Sequence, residues 1–394
     1  MTFANGRTYL AIPGPSVMPD RVLRAMHRTA PNIYTGELIE LTKSLVPDLK
    51  SLAGTTGDVA MYIANGHGIW EAALSNVLSR GETVLVLGTG RFCHGWGEMA
   101  EGLGIKTEVL DFGERDTIDP ARVVEALAAD TAGRIKAVLM VHVDTSSSVR
   151  NDVPTMRAVL DRLGHPALLM VDCIASLACD RFEMDSWGAD VMVAASQKGL
   201  MTPPGMGFVW FNSRAAAARD SATCATVYWD WRERINPDYY YKYFDGTAPT
   251  HHLYGLREAL DMIAEEGLEA IWTRHEGLAH AVWAAVEAWG ADGPMRLNIK
   301  DPSLRSHAVT SVELGSPDGE RLQEWCKEKA GVTLGIGLGR EPADAFFRIG
   351  HMGHVNAHMV LGTLAAMDAG LKALGIPHGA GALEAATGAI AKAA

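Results

Sequence analysis

At 394 residues the chain exceeds the ~250–300 residues at which single cores stop growing, so two domains are expected. Hydrophobic residues at 48% and charged residues at 21%, without any run of ~18 uninterrupted apolar residues, fit a globular protein and exclude a membrane-spanning helix. A formal net charge of −12 excludes a general nucleic-acid binder, whose affinity rests on clustered Lys and Arg, so any anion must be held locally.

The first ten residues lack the apolar stretch of a secretory signal, which makes the cytoplasm the default expectation. From about residue 50 to 210, apolar runs at 59–63, 83–87, 136–143, 167–172, 191–195 and 207–211 read as strands buried on both faces. Between them, 68–78, 120–129 and 153–163 carry apolar residues at helical spacing. This alternation predicts an α/β domain, a mostly parallel sheet sandwiched by helices, with ligands at the carboxyl ends of the strands. Segment 229–247 holds Trp229, Trp231, Tyr239, Tyr240, Tyr241, Tyr243 and Phe244; it is too aromatic for a solvated loop and is expected to cover a neighbouring subunit. Beyond about residue 255, long helical stretches at 256–266 and 269–289 and strand candidates at 308–312 and 346–349 point to a smaller α+β domain. The expected division is an N-terminal arm 1–17, a large domain 18–265 and a small C-terminal domain 266–394, whose Ala- and Gly-rich tail carries no chemistry. Cys93, Cys173, Cys179, Cys224 and Cys326 form no C-x-x-C pair and read as buried free thiols.

Pyridoxal 5′-phosphate (PLP) asks of a protein a lysine, an acid for its ring nitrogen, an anion cradle and a flat group against the ring. Lys198 follows the run 191–195 in Ala-Ser-Gln-Lys-Gly, where partial desolvation favours the neutral, nucleophilic amine, although alone it reads equally as a surface lysine. Asp172 ends Ala-Leu-Leu-Met-Val-Asp at a strand's carboxyl end and can keep a pyridine nitrogen protonated; a helix N-cap is the plainer alternative. One helix-like stretch and one strand separate the two, which brings them to neighbouring strand ends. Asn65-Gly66-His67 opens a helix whose N–H groups and dipole can receive a phosphate, or is an ordinary turn. Phe92 follows Gly88-Thr89-Gly90 and is either a ring-stacking or a core aromatic.

Further motifs carry a resemblance. Ile12-Pro13-Gly14-Pro15-Ser16, Gly66-His67 with Glu71-Ala72-Ala73-Leu74, Val171-Asp172, Ser196-Gln197-Lys198 with Pro203-Pro204-Gly205, Leu253-Tyr254-Gly255-Leu256-Arg257 and Phe347-Arg348-Ile349-Gly350 are similar in order and spacing to class V, fold-type I aminotransferases of the alanine–glyoxylate, serine–glyoxylate and serine–pyruvate branch. The resemblance spans nearly the whole chain. It implies a homodimeric PLP enzyme that moves an amino group from serine, alanine or aspartate to glyoxylate, with pyruvate as a further acceptor and ureidoglycine as a further donor. It also implies Lys198 as Schiff-base lysine and proton shuttle, Asp172 on the pyridine nitrogen and Thr145 beside the phenolic oxygen. Gly66, His67 and Gln197 would hold the phosphate, joined by Thr247 from a second subunit, and Arg348 would clamp the substrate carboxylate, a structural salt bridge being its plainer reading.

The chain departs from the family pattern in places. Phe92 stands where Trp is frequent, and Phe244 replaces a Tyr three residues before Thr247, which removes a phosphate hydroxyl. Asp144 replaces a Glu, Ser148 a Gly, and residues 31–37 a His-Arg-rich segment that tends to shape the donor pocket. An aspartate donor needs a second cation, for which Arg91, His351 and Arg340 are candidates. A dinucleotide fingerprint at Gly88-Thr89-Gly90 fails because Cys93 occupies the third glycine position. His251-His252 and His351-x-x-His354 lack an accompanying ligand set, so no metal is expected. A desulfurase or β-lyase needs a reactive cysteine on a mobile loop, and the only cysteine in the small domain, Cys326, lies in a helix-like stretch. A non-catalytic, ligand-binding relative is disfavoured by Lys198, Asp172 and Arg348 together.

Overall fold

Strands that are apolar on every residue satisfy both faces only between two layers, and the computed structural model, which describes residues 2–394, places them there. Apart from a short ladder of Val143–Asp144 with Val149–Arg150, the strands in chain order are β1 (Tyr9–Ala11), β2 (Asp58–Tyr62), β3 (Thr83–Gly88), β4 (Lys106–Asp111), β5 (Ile135–Val141), β6 (Leu168–Asp172), β7 (Val191–Ala195), β8 (Gly207–Phe211), β9 (Arg296–Leu297), β10 (Val309–Glu313), β11 (Val332–Ile336) and β12 (Phe346–Gly350). Seven of them form one sheet in the order β4-β3-β5-β6-β7-β8-β2. The pairings from β4 through β7 are parallel, and β8 runs antiparallel to both β7 and β2. The period-2 geometry of a strand sends successive side chains to opposite faces. Leu85, Leu87, Val138, Met140, Leu169 and Val171 accordingly join one apolar core, while Val84, Val86, Ala137, Leu139, Leu168 and Met170 join the other.

β4 escaped the strand reading because it is a half-exposed edge, Lys-Thr-Glu-Val-Leu-Asp, without an apolar run. The second sheet, ordered β1-β11-β12-β10-β9, is larger than the two strands expected for it. β11 was masked by Gly335, and β1 lies in the N-terminal arm yet pairs in parallel with β11. A separate core of Val282, Val286, Trp289, Phe347, Ile349, Leu364 and Met367 lies under this sheet, packed by helices Leu268–Gly290 and Ala357–Leu374.

The aromatic segment is partly absorbed by its own chain. Trp231 stacks on Phe211 at 4.0 Å and Phe244 is buried, whereas Tyr239 and Tyr241 are exposed. All five cysteines are free, Cys224 alone being half-buried. Among the described residues no helix is long and apolar enough to cross a membrane, and no three His, Cys, Asp or Glu side chains gather as a metal site.

Candidate active site

The carboxyl ends of β5, β6 and β7 meet the N-termini of helices Gly66–Val77 and Arg91–Gly102 around a cavity of ≈180 Å³. Of the nine residues singled out from the sequence, Gly66, His67, Phe92, Thr145, Asp172, Gln197 and Lys198 line this cavity. Thr247 and Arg348 do not. A wider groove of ≈570 Å³ lies between Tyr9, Met262 and Met359, but its Arg7, Asp20 and Arg21 are already in ion pairs. The residues singled out from the sequence converge instead on the smaller cavity.

Asp172 is buried at the tip of β6. Its Oδ2 accepts from the Trp70 indole N–H at 2.8 Å and its Oδ1 from the Ile174 N–H at 2.7 Å. Burial nevertheless pushes the carboxyl up to about 7. Lys198 reaches from the loop after β7 and donates from Nζ to the Pro13 carbonyl, while Ser16 Oγ donates to the Lys198 carbonyl at 2.6 Å. Burial, reinforced by the Arg348 charge, pulls its amine down to about 8.

Where helix Gly66–Val77 meets the cavity, Asn65 caps it by accepting from the Gly68 N–H at 3.2 Å. The N–H groups of Gly66 and His67 have no acceptor among the described residues. Gln197 Oε1 is buried without a partner; turned over, the same amide presents N–H to the cavity. The His67 ring lies 4.7 Å from Trp70, and Phe92 meets Trp70 edge-on at 6.3 Å.

Phe92 is placed by a carboxylate. Helix Arg91–Gly102 begins at Gly90, which has no side chain to cap it. Buried Asp144 supplies the cap from the turn after β5, accepting at Oδ2 from the Phe92 N–H at 2.9 Å and at Oδ1 from the Ser146 N–H and hydroxyl at 2.9 and 2.6 Å. Such an anion is stabilised at a helix N-terminus.

Arg348, on β12, is buried, yet forms no ion pair among the described residues. Its Nε donates to the Ile336 carbonyl at 2.7 Å and Nη1 to the Thr145 carbonyl at 3.1 Å, while Nη2 makes no hydrogen bond. Burial lowers it to about 10, so it stays charged at neutral pH. The salt-bridge reading finds no partner here. Two of the suggested second cations are already committed: Arg340 pairs with Glu114 at 2.6 Å, and His351 is fully buried with Nε2 on Thr310 and Nδ1 on the His307 carbonyl. Arg91 is exposed and unpaired among the described residues. Thr247 is exposed.

Sequence reasoning assigned no role to Trp70, Pro13 or Gly14. A buried indole N–H needs an acceptor, and that requirement is the signal which pairs Trp70 with Asp172. Pro13 and Gly14 carry no reactive group, so only their backbone contacts with Lys198 reveal them.

The sequence pattern of the family described as Aminotransferase class-V matches residues 61–354. The serine–glyoxylate aminotransferase of Methylorubrum extorquens is 38% identical over 377 residues, covering 93% of this chain and 91% of that protein. The L-aspartate–glyoxylate aminotransferase of Paracoccus denitrificans is 32% identical over 368 residues, covering 93% and 91%. Among solved structures, pyridoxamine–pyruvate aminotransferase from Mesorhizobium loti matches with a TM-score of 0.88 at 25% identity, covering 100% of both chains. With the family pattern extending over well more than half its length and relatives of one enzyme type spanning nearly all of it, this chain belongs to the class-V aminotransferases and is an amino-group-transferring enzyme of fold-type I.

Proposed function

We propose that the chain binds PLP in the cavity at the ends of β5, β6 and β7 and moves an amino group from a small L-amino acid to glyoxylate, giving glycine and a 2-oxo acid. The observation that carries this reading is the convergence on one ≈180 Å³ cavity of a lysine held near neutrality, a buried carboxylate and two acceptor-less helix N-terminal N–H groups. These groups fit the cofactor's amine-reactive carbon, its ring nitrogen and its phosphate respectively.

When bound, PLP supplies an electron sink that makes the substrate's Cα proton acidic. Lys198, neutral in part at physiological pH, serves as nucleophile and carries the proton to and from Cα. Asp172 would keep the ring nitrogen protonated, and the Trp70 and Ile174 N–H groups fix the orientation of its carboxylate. A cation facing Asp172 offsets the burial that raises it, so its carboxylate is ionised in the loaded site. Gly66, His67 and Gln197 would hold the phosphate, Phe92 would flank the ring and Thr145 would stand by the phenolic oxygen. Arg348 clamps the substrate carboxylate with the fork that its protein contacts leave partly free. Thr247 completes the phosphate site of a second copy in a homodimer, in keeping with its exposure here.

With Arg340 and His351 committed elsewhere, serine or alanine is favoured over aspartate as donor; an aspartate side chain would have to reach Arg91. Incubation with glyoxylate and isotope-labelled serine, alanine or aspartate, followed by mass spectrometry of glycine, tests the reading. With the label on the donor's amino nitrogen, labelled glycine from serine or alanine, with slower transfer from aspartate, supports it; no labelled glycine from any of the three sinks it.

A further inference from the structure

The turn after β5 contains a residue whose backbone is ill suited to it. Ser148 has φ of 64°, in the left-handed region where glycine is at ease and an L side chain is strained, and it is only 3% exposed. Such a conformation persists where the surroundings over-determine it. Here the Ser148 N–H donates to the Asp144 carbonyl at 2.7 Å and closes the turn, while its own carbonyl accepts from the Ser306 N–H at 3.2 Å. Its hydroxyl Oγ accepts from the Ser311 N–H at 3.2 Å.

Ser311 lies on β10, directly opposite Arg348 in the antiparallel register with β12. The same turn also touches Arg348 from the other side, through the Thr145 carbonyl on Nη1 at 3.1 Å, and Thr145 lines the cofactor cavity. One five-residue turn thus grips the guanidinium, the strand facing it and the cavity wall. A glycine at position 148 would relax the backbone but release the strand.

We propose that Ser148 is a positioning residue for substrate-carboxylate binding, its hydroxyl fixing the β10–β12 pair, and hence the Arg348 guanidinium, against the cofactor cavity. This rests on the reading of Arg348 as the carboxylate clamp. A planar fork recognises a carboxylate through two parallel hydrogen bonds, and small displacements spoil both.

The test compares Ser148→Gly and Ser148→Ala in the loaded enzyme, with Arg348→Lys as reference. The expected result is a rise of about 3- to 10-fold in KM for the amino donor in both Ser148 variants, with kcat and cofactor affinity within about twofold of the parent. Ser148→Gly should melt closer to the parent than Ser148→Ala, since both leave the Ser311 N–H unpaired but only glycine relieves the strain. A merely structural serine would instead lower the melting temperature and leave KM alone, and that outcome overturns the proposal. A large KM effect of Arg348→Lys beside an unchanged Ser148→Gly overturns this proposal only; an Arg348→Lys variant with unaltered KM overturns the clamp and the proposal together.

Discussion

Burial moves Lys198 and Asp172 in opposite directions along the pH scale, and each carries a signature that an experiment on the apo protein can read. The Asp172 carboxyl is pushed by burial from 3.8 to about 7, against the pull of the Ile174 and Trp70 N–H groups. Its folded value lies above its unfolded one, so its contribution to stability is present below 3.8 and is lost as pH rises through about 7. Asparagine carries no charge to desolvate. Its single acceptor oxygen leaves the Trp70 or the Ile174 N–H unpaired at every pH, so the expected signature of apo Asp172→Asn is a gain in stability relative to the parent of on the order of 2–4 kcal/mol between pH 4 and pH 8, read from thermal melts at both pH values. A gap that does not depend on pH contradicts the assignment. Trp70→Phe removes one of the two donors to that carboxylate and leaves a buried oxygen unpaired. It should cost about 1–3 kcal/mol in denaturant titrations and push the Asp172 titration higher still. Lys198, Asp172 and the Gly66-His67 turn were legible as candidates because each stands at the end of an apolar run. Trp70 was not, because a tryptophan on a helix's buried face reads as core until its N–H partner is known.

The loops that bind these elements together are packed so closely that single atoms matter. Gly14, with φ of 90°, lies where an added Cβ would come within 2.5 Å of the Lys198 Cδ and Nζ. Gly14→Ala strains a φ of 90° and pushes the flexible lysine tip aside, so weaker retention of cofactor on dialysis and a drop in activity of about 3- to 10-fold are expected. Full retention of both would show that the N-terminal segment does not set the lysine's position. Gly199 is tighter still, since a Cβ there would lie 2.0 Å from the Leu177 carbonyl oxygen, which explains the residue that follows Lys198. At this scale the sequence was readable wherever burial on both faces left an uninterrupted apolar run, as in β5, β6 and β7. It was silent where the pattern is diluted: β4 is an edge, β1 has three residues, and β11 contains Gly335. The helix cap from Asp144 was equally hidden, because its partners lie some fifty residues earlier in the chain.

At the scale of the molecule, two apolar cores flank the large sheet and a third underlies the smaller one, which β1 joins from the far end of the sequence. The change in periodicity near residue 255 led to the expectation of a large and a small unit, while the place of β1 was not legible, since three residues carry no periodicity. Tyr34, Val227, Tyr239 and Tyr241 remain exposed, and Thr247 lies near the last two in sequence. The account expects sedimentation to give a dimer, and expects Thr247→Val to weaken cofactor affinity by about 3- to 10-fold, the cost of one lost hydrogen bond, without changing the sedimentation coefficient. An unchanged affinity would remove Thr247 from the site. The most direct test of the central claim is the visible absorbance of the purified protein loaded with PLP, recorded beside Lys198→Ala, before and after serine or alanine is added without any 2-oxo acid. The prediction is a visible band that requires Lys198 and is bleached by the donor in a single turnover. A protein that stays colourless in excess PLP, or a Lys198→Ala variant with the parent's spectrum and turnover, would contradict it.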